Sequence, residues 1–346
     1  MKVGSSPRVL QVMAGAEYGG AEAFFIRLVM ALHRAGLEQR VVIRANPRRA
    51  EALSSAGIET VQLPFGGLFD FRTTAGLKRE IRSFQPGVVL TWMNRATNTC
   101  PKGDFVHVAR LGGYYNIKYY WKCDHLIGNT EEILEYLTEL GWPKERAHFL
   151  PNFVAAERAQ PVPREQHFTP ANAPLLLALG RLHQNKAFDV LLEAMVRTPE
   201  VYLWLAGEGP LREELETLAE HLAVKPRVRF LGWREDTAAL FRACDVFVCP
   251  SRHEPYGNVV VEAWAQSVPV ISTDTLGPGT MIEHMETGLI TPVDDPMTMS
   301  NAIRFLLNDE ELRTRLAEGG RAAYEERFTE DAVVERYIQF FRDVTG

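Results

Sequence analysis

Long apolar runs are absent from this sequence of 346 residues. A membrane-spanning helix needs roughly 18 or more consecutive apolar residues, and no stretch approaches that length. The opening segment, MKVGSSPRVLQVMAG, also lacks the apolar core and cleavage pattern of a secretory signal peptide. We therefore expect a cytoplasmic protein and not an integral membrane protein.

Closely spaced cysteines are also absent. The four cysteines, Cys100, Cys123, Cys244 and Cys249, form no CxxC pair, so reduced structural thiols are expected rather than a zinc site. The sequence has no DxD motif, and no GxGxxG with a downstream acidic residue follows either first strand. The second absence argues against an NAD-dependent dehydrogenase. We predict neither a metal nor a cofactor.

The composition is that of a globular protein, with 46% hydrophobic and 24% charged residues. A chain of this length is enough for two ordinary cores, so we expect two domains. Residues 1–155 hold 19 Lys and Arg against 14 Asp and Glu, a net charge of +5. Residues 156–346 hold 19 against 30, a net charge of −11. The first half is therefore basic and the second half acidic.

Short apolar stretches alternate with amphipathic ones along both halves. RVLQVMAG has the pattern of a buried strand, residues 20–36 that of a helix ended by glycine, and RVVIRA that of the next strand. This alternation is typical of parallel sheets covered by helices on both faces. We predict an α/β fold of two Rossmann-like, doubly wound domains that face a cleft.

Prolines interrupt the middle of the chain. Five of them accumulate between residues 151 and 174, where the periodicity is lost, and a second series of strand and helix patterns follows. We place an N-terminal domain at residues 1–155 and a C-terminal domain at residues 156–328. The final segment, residues 329–346, is predicted to be a helix that packs back toward the N-terminal domain.

Two cations stand out in one predicted loop of the second half. In open parallel sheets ligands bind beyond the carboxyl ends of the strands, and GRLHQNKAFDVLL places Arg181 and Lys186 there, just before a helix. Cations oppose the dipole at a helix N-terminus, unless an anion lies between them. The pair predicts a phosphate site, with a solvated cationic loop as the alternative.

Two carboxylates stand out in another loop of the same half. HEPYGNVVVE places Glu254 before a predicted helix and Glu262 about one turn into it, with Asn258 near the N-cap. Carboxylates accept hydrogen bonds in pairs, which suits the vicinal hydroxyls of sugars. Two carboxylates and two cations together match a nucleotide sugar. For Glu262 alone, a helix-surface glutamate is the alternative.

Glycines mark two further loops. Gly19 and Gly20 precede the first helix, where bare backbone N–H groups let an anion approach. A tight turn without a ligand is the alternative. Gly207 lies in LAGEGPLREEL, where plain turn chemistry is the favoured interpretation if the loop is taken alone.

These motifs stand in the order found in a known enzyme family. EPYGNVVVE, preceded by CPSRH and followed by AWAQSVPVISTDTLGPGTMIEHMETGLITP, resembles the signature of retaining GT-B glycosyltransferases of family 4, the glycosyl transferases group 1. YGGAE, GRLHQNKAFDVLLEA, LAGEGPLREELE and VRFLGW extend the resemblance over nearly the whole chain. It implies transfer of a sugar from a nucleoside-diphosphate sugar, with retention of configuration.

The resemblance also implies roles for individual residues. Arg181 and Lys186 would hold the donor diphosphate, and Glu254 would bind the transferred sugar, so these three are the predicted catalytic residues. They would act electrostatically, without a protein nucleophile or a metal. Glu262 would hold the ribose hydroxyls. The other predicted donor-binding residues are Gly19, Gly20, Gly207, Gly257 and Asn258.

One position departs from the family pattern. Many members carry a histidine after the strand equivalent to FVHVARL, whereas this chain has Gly112 or Gly113 at that place. His107 lies upstream, inside the strand, and is predicted to be a core histidine. The predicted acceptor residues are Arg110, Tyr114 and Tyr115.

The family organisation places the acceptor on the N-terminal domain, which is the basic one here. Its cations cluster in RANPRR, KREIR and RLGGYYNIKYYWK. Basic residues mixed with aromatics suit an anionic membrane surface, with a solvated helix face as the alternative. Nucleic acid is not expected, because the chain is acidic overall and has no such motif. We predict a peripheral enzyme that extends a glycan or lipid-linked acceptor, as in lipopolysaccharide synthesis.

Two other functions use the same architecture. A nucleotide-sugar 2-epimerase or hydrolase of GT-B fold would release free sugar instead of extending an acceptor. A non-catalytic nucleotide-sugar-binding protein would keep the ribose and phosphate contacts but would have no reason to keep Glu254 beside the anomeric centre.

Overall fold

The computed structural model describes residues 6–17, 19–67, 70–154 and 158–346. The chain divides into two compact units: unit 1 is residues 1–153 with 330–346, and unit 2 is residues 154–329. The domain boundary predicted between residues 155 and 156 lies outside the described residues.

Unit 1 is built on a seven-stranded parallel sheet with strand order β3-β2-β1-β4-β5-β6-β7. Its strands are β1 Val9–Met13, β2 Gln39–Arg44, β3 Thr60–Leu63, β4 Val88–Trp92, β5 Val106–Leu111, β6 His125–Gly128 and β7 Ala147–Phe149. Its helices are α1 Gly20–Arg34, α2 Pro47–Ser55, α3 Phe71–Phe84, α4 Met93–Thr99, α5 Glu131–Glu139 and α13 Glu330–Asp343.

Unit 2 is built on a six-stranded parallel sheet with strand order β10-β9-β8-β11-β12-β13. Its strands are β8 Leu175–Leu179, β9 Tyr202–Ala206, β10 Val228–Gly232, β11 Val246–Cys249, β12 Val270–Thr273 and β13 Leu289–Thr291. Its helices are α6 Phe188–Met195, α7 Arg212–His221, α8 Thr237–Ala243, α9 Asn258–Ala265, α10 Leu276–Met281, α11 Pro296–Asn308 and α12 Glu310–Arg327.

The central strands are continuous apolar runs because helices cover both faces of each sheet. Every residue of β1, β4 and β8 is buried. The apolar face of α1 buries Phe24 and Phe25 against Trp92 at the end of β4. The predicted α/β class with two parallel, doubly wound sheets is confirmed.

The last helix, α13, belongs to the core of unit 1 although it follows unit 2 in sequence. Its Val333, Tyr337 and Phe341 are fully buried in the cluster that also contains residues of α1 and β1. At its start, Glu330 forms an ion pair with Arg34 at the end of α1. The chain therefore returns to unit 1 only through its final residues.

Candidate functional site

The predicted donor residues follow β8 and β11, the two central strands of unit 2. The strand order runs outward in opposite directions from this pair, with β9 on one side and β12 on the other. Such a switch point leaves a crevice beyond the carboxyl ends of the strands, where ligands of open α/β sheets bind. The topology therefore brings the loops at 180–187 and 250–257 together.

Lys186 and Glu254 form an ion pair through Nζ and Oε2 at this switch point. The side chains are only 22% and 12% exposed, so water screens the pair weakly. Burial alone would lower the pKa of Lys186, but the charge and hydrogen bond of Glu254, together with Cys249, outweigh burial and raise this pKa. Lys186 is therefore held as a cation at neutral pH.

Backbone hydrogen bonds hold the two loops in this register. The N–H groups of Arg252 and His253 donate to the carbonyl oxygen of Asn185, over 2.8 and 3.1 Å. The Arg252 guanidinium also donates two hydrogen bonds to Asp189 in α6, over 2.9 and 2.6 Å, and one to Asp294 over 2.5 Å. A bidentate pair fixes geometry as well as charge, so Arg252, which sequence reasoning did not select, positions Glu254.

Arg181 lies on the exposed side of the same loop and makes no ion pair with another described residue. The glycines around it serve close backbone packing. A Cβ on Gly207 would overlap the carbonyl oxygen of Gly180, and one on Gly209 would overlap that of Leu182. Gly207 also has φ of +147°, which side chains rarely adopt. This steric requirement explains Gly207 without a ligand; its contact with the donor stays a prediction.

The carboxylate loop enters α9 through a glycine. Gly257 is the N-cap of α9 with φ of +85°, and a Cβ there would lie 3.1 Å from Pro278. Asn258 is the first residue of the helix, and Glu262 follows one turn later, half-buried. Glu262 thus lies where the sequence placed it relative to Glu254, but its contact with a ribose stays a prediction.

In unit 1 the loop that contains Gly15 and Gly19, called the glycine loop below, follows β1. It too lies at a switch point, since β2 and β4 flank this strand. Gly19 is the N-cap of α1, and Gly20 is its first residue. Beneath the loop lies Glu22, 5% exposed, whose Oε1 accepts a hydrogen bond from the N–H of Ala16 over 2.7 Å. A Cβ on Gly15 or Gly19 would overlap the Glu22 carboxylate. Sequence reasoning missed Glu22, because an acidic residue in the first turn of a helix is commonplace.

Arg110, predicted to contact the acceptor, is buried among side chains of unit 1. It is 3% exposed, and its guanidinium lies 4.7 Å from the ring centroids of both Phe24 and Trp92. Nε donates to the Tyr337 hydroxyl over 2.8 Å, and Nη2 donates to Asn152 over 2.5 Å. Arg110 therefore connects β5 to α13, and its contact with an acceptor stays a prediction.

The two predicted acceptor tyrosines differ in surroundings. Burial, and then the Glu22 carboxylate, raises the pKa of Tyr115. The ring of Tyr114 packs edge-on against Tyr136 with centroids 5.1 Å apart, and burial and Glu132 raise its pKa. Their contact with an acceptor stays a prediction.

His107 is a core histidine, as predicted. It is 6% exposed, and its Nε2 lies 3.1 Å from the hydroxyl of Thr91 on the neighbouring strand. Burial, and then nearby Lys122, lowers the pKa of His107 to about 4, although Asp124 opposes the shift. No group of three or more His, Cys, Asp or Glu side chains comes together as a metal site within the described ranges.

The chain matches two family descriptions that together span most of it. Residues 160–323 match Glycosyl transferases group 1, and residues 18–158 match Glycosyltransferase Family 4. Two proteins of Rhizobium meliloti are similar over nearly the whole length: lipopolysaccharide core biosynthesis glycosyltransferases LpsE, 38% identical over 93% of this chain and 95% of that protein, and LpsD, 35% identical over 96% and 98%.

Solved structures of glycosyltransferases share the fold at low sequence identity. A glycosyltransferase from Rickettsia africae superposes with a TM-score of 0.87 at 18% identity, over 98% of this chain and 99% of that one. Anabaena HepE in complex with UDP gives 0.84 at 18% identity, over 97% and 100%. The lipopolysaccharide outer core galactosyltransferase WaaB gives 0.78 at 15% identity, over 97% and 99%. These matches confirm the resemblance found in the motifs: the chain belongs to the GT-B glycosyltransferases of family 4, the glycosyl transferases group 1.

Proposed function

We propose that this glycosyltransferase takes a sugar from a nucleoside-diphosphate sugar, bound at the sheet edge of unit 2, and transfers it with retention of configuration. The paired Lys186 and Glu254 are the observation that carries this proposal. Lys186 and Arg181 would bind the diphosphate, Glu254 the transferred sugar, and Glu262 the ribose. Without the donor, Lys186 and Glu254 neutralise each other; with it, each would exchange this contact for phosphate and sugar oxygens.

The proposed reaction needs no protein nucleophile. The bond from the anomeric carbon to the diphosphate oxygen breaks, and its electron pair leaves with the phosphate. An acceptor hydroxyl forms the new bond on the same face and gives its proton to the leaving phosphate oxygen. Lys186 and Arg181 supply fixed positive charge where negative charge develops, which is how preorganised groups lower a barrier. On this mechanism catalysis would not depend on a divalent metal.

We further propose that the acceptor is a saccharide of lipopolysaccharide core type. LpsE and LpsD, which resemble this chain over nearly its full length, bear the name of lipopolysaccharide core biosynthesis. Of the structurally similar enzymes, WaaB and WaaG are also described by a role in lipopolysaccharide. Anabaena HepE was solved with UDP and with UDP-glucose, which makes uridine nucleotides the first donors to test.

Peripheral attachment to an anionic membrane is a further part of the proposal. With α13 counted, unit 1 holds 21 Lys and Arg against 18 Asp and Glu, a net charge of +3, and unit 2 holds 17 against 26, a net charge of −9. Lys118 and the 53% exposed Trp121 suit a headgroup interface. Arg49 and Arg110 are buried and drop out of the predicted cationic surface.

The structure adds one finding on membranes. None of the helices formed by the described residues combines the length and the hydropathy that crossing a bilayer requires.

A transfer assay tests the proposed function. The purified chain is incubated with UDP-, GDP- and ADP-sugars and a truncated lipopolysaccharide core acceptor, and the anomeric configuration of the product is read by NMR. We expect an α-linked product from an α-linked donor, with turnover unchanged in EDTA. An inverted linkage or a chelator-sensitive rate would contradict the mechanism. Free sugar released equally with and without acceptor would contradict transfer and favour a hydrolase or epimerase.

A further inference from the structure

Unit 1 contains a cavity of about 830 Å³ beside the glycine loop, lined entirely by residues of this unit. It lies where β1 and β2 end and where α2 begins. Three of its lining residues are the arginines of the segment RANPRR: Arg44 and Arg48, which are exposed, and Arg49, which is buried. The proposed mechanism uses none of them.

Arg49 is a buried cation that forms no ion pair with any residue in the described part of the chain. Its side chain is 3% exposed, and Nη2 donates to the carbonyl oxygen of Ala16 over 2.8 Å. Among the described residues, Nη1 is enclosed and has no hydrogen-bond partner, and no carboxylate lies within ion-pair distance. Burial lowers the pKa of Arg49, which Glu22 partly opposes. A buried charge that is only partly compensated is costly, so Arg49 calls for an explanation beyond packing.

The start of α2 provides a second, independent feature. This nine-residue helix has no acidic residue in its first turn; Arg48 and Arg49 occupy that turn instead. Cations at a helix N-terminus oppose the helix dipole, whereas an anion there is favoured. An anion in the cavity would interact favourably with the helix dipole and would also compensate the charge of Arg49.

The carboxylates around the cavity do not supply this anion. Glu22 also lines it, but Oε1 accepts the Ala16 N–H and its carboxylate lies beneath the glycine loop. Glu17, the other carboxylate of the lining, is exposed at the loop. Three guanidinium groups therefore face two carboxylates, and the lining retains a net charge of +1.

We propose that this cavity binds a phosphate or carboxylate group carried by the acceptor saccharide. Planar guanidinium groups recognise both groups through paired hydrogen bonds. The inference rests on the proposed function only in naming the acceptor as the carrier. The donor diphosphate has its own cations on unit 2, Arg181 and Lys186, and the buried position of Arg49 suits a single inserted group better than a membrane surface.

The first test measures binding alone. Inorganic phosphate is titrated into the whole chain by calorimetry at constant ionic strength, with the parent, an Arg44→Gln/Arg48→Gln variant and a Lys78→Gln/Arg82→Gln control of equal charge loss on α3. We expect at least a tenfold weaker phosphate affinity in the first variant and less than a twofold change in the control. Phosphate bound at unit 2 is common to all three proteins and cancels in the comparison.

Arg44 and Arg48 are exposed, so their double variant is expected to fold normally. Arg49→Met should also weaken phosphate binding. This loss supports the proposal when the circular dichroism spectrum of the variant matches that of the parent, which shows that the variant is folded. Equal phosphate affinity in the parent and the Arg44→Gln/Arg48→Gln variant would overturn the inference, as would an equal loss in the α3 control.

The second test identifies the carrier of the anion. Transfer is measured on a core acceptor before and after phosphatase treatment, and on one whose carboxyl groups have been reduced. The Arg44→Gln/Arg48→Gln variant should raise KM at least tenfold for the anionic acceptor, leave kcat within twofold, and leave KM unchanged for the acceptor without its anion. The treatment that removes this difference identifies phosphate or carboxylate.

The two proposals fail in different ways. If transfer occurs but KM is the same in variant and parent for every acceptor, the anion site is wrong and the glycosyltransferase assignment stands. If no acceptor is glycosylated but phosphate binding still depends on Arg44 and Arg48, the site stands and its carrier is not the acceptor. Binding of both double variants to phosphatidylglycerol vesicles is measured as well. If both lose vesicle binding equally while KM for the acceptor is unchanged, the anion is a lipid headgroup. That result overturns the proposal.

Discussion

At the sheet edge of unit 2, formed by the carboxyl ends of its strands, the cation Lys186 faces the carboxylate Glu254, whereas at the sheet edge of unit 1 the buried Arg49 has no ion-pair partner among the described residues. Both edges lie at switch points of parallel sheets, and both have a glycine loop beside them. The edge of unit 2 is closed by side-chain pairs, as in the contacts of Arg252 with Asp189 and Asp294. The edge of unit 1 is held by contacts to loop backbone, and the charge of Arg49 is compensated only in part, by Glu22. The Lys186–Glu254 pair is thus neutral before a ligand binds, whereas Arg49 is not neutralised by an ion pair among the described residues.

Disrupting the Lys186–Glu254 pair of unit 2 should have the largest effect. In Glu254→Ala the partner of Lys186 and the proposed sugar contact are both removed. We expect kcat to fall about 100- to 1000-fold, as for the loss of one preorganised group at a reacting centre. Affinity for the nucleoside diphosphate, measured by calorimetry, should not fall, because Lys186 no longer has to give up its contact with Glu254 to bind the phosphate. The exposed Glu208→Ala variant is the matched control, and near-normal turnover in Glu254→Ala would refute the assignment.

The second prediction concerns how tightly the backbone is packed at each edge. A Cβ at Gly207 meets the backbone of Gly180, whereas one at Gly19 meets only the side chain of Glu22, which can move. Gly207→Ala should therefore lower the free energy of unfolding by about 3 kcal/mol, and Gly19→Ala by clearly less. Gly112→Ala, where no atom lies within 4 Å of the new Cβ, is the control. Chemical denaturation ranks the three; equal losses would show that the two edges do not differ.

Glu262 separates binding from turnover within unit 2. If it holds the ribose through charged hydrogen bonds, Glu262→Ala should weaken nucleoside diphosphate binding by about 2 kcal/mol, or roughly 30-fold. The exposed Glu220→Ala variant should bind normally. The comparison is a calorimetric titration of each variant with the diphosphate product. Unchanged affinity in Glu262→Ala would show that Glu262 is a helix-surface glutamate without a role in ribose binding.

The smallest effect is a difference in pH response traced to unit 1. His107 has a folded-state pKa of about 4, below its ordinary value of 6.5. The unfolded chain therefore binds a proton first as the pH falls, and stability is lost between 6.5 and 4. Between pH 7 and 5.5 this one group should cost about 1 kcal/mol. In His107→Gln, urea unfolding curves should show that much less dependence on pH; an unchanged dependence would contradict the shift.

Most strands and about half of the helices could be predicted, because buried parallel strands are apolar runs and amphipathic helices have a 3.6-residue period. The helices not predicted are α2, α4, α5, α10, α11 and α12. In α2, PRRAEALSS buries only two of its residues, so its apolar pattern is weak. The burial of Arg110 could not be predicted, because a cation at a strand end has the same pattern whether buried or exposed, and its partner Tyr337 lies 227 residues away. The sequence motifs assign Lys186 to the diphosphate and Glu254 to the sugar. They do not reveal that the two side chains pair with each other across 68 residues, because that contact depends on how the two loops fold together.

The return of α13 to unit 1 has a consequence for biosynthesis. A ribosome completes residues 1–153 long before it reaches Tyr337 and Phe341, so the nascent first unit must wait, with the face of α1 that packs against α13 uncovered, until all of unit 2 has been translated. Exposed apolar surface of this kind is what chaperones bind and what aggregates. A frameshift or nonsense codon that removes only the last 17 residues therefore damages the start of the chain, and expression of residues 1–153 alone should yield insoluble protein.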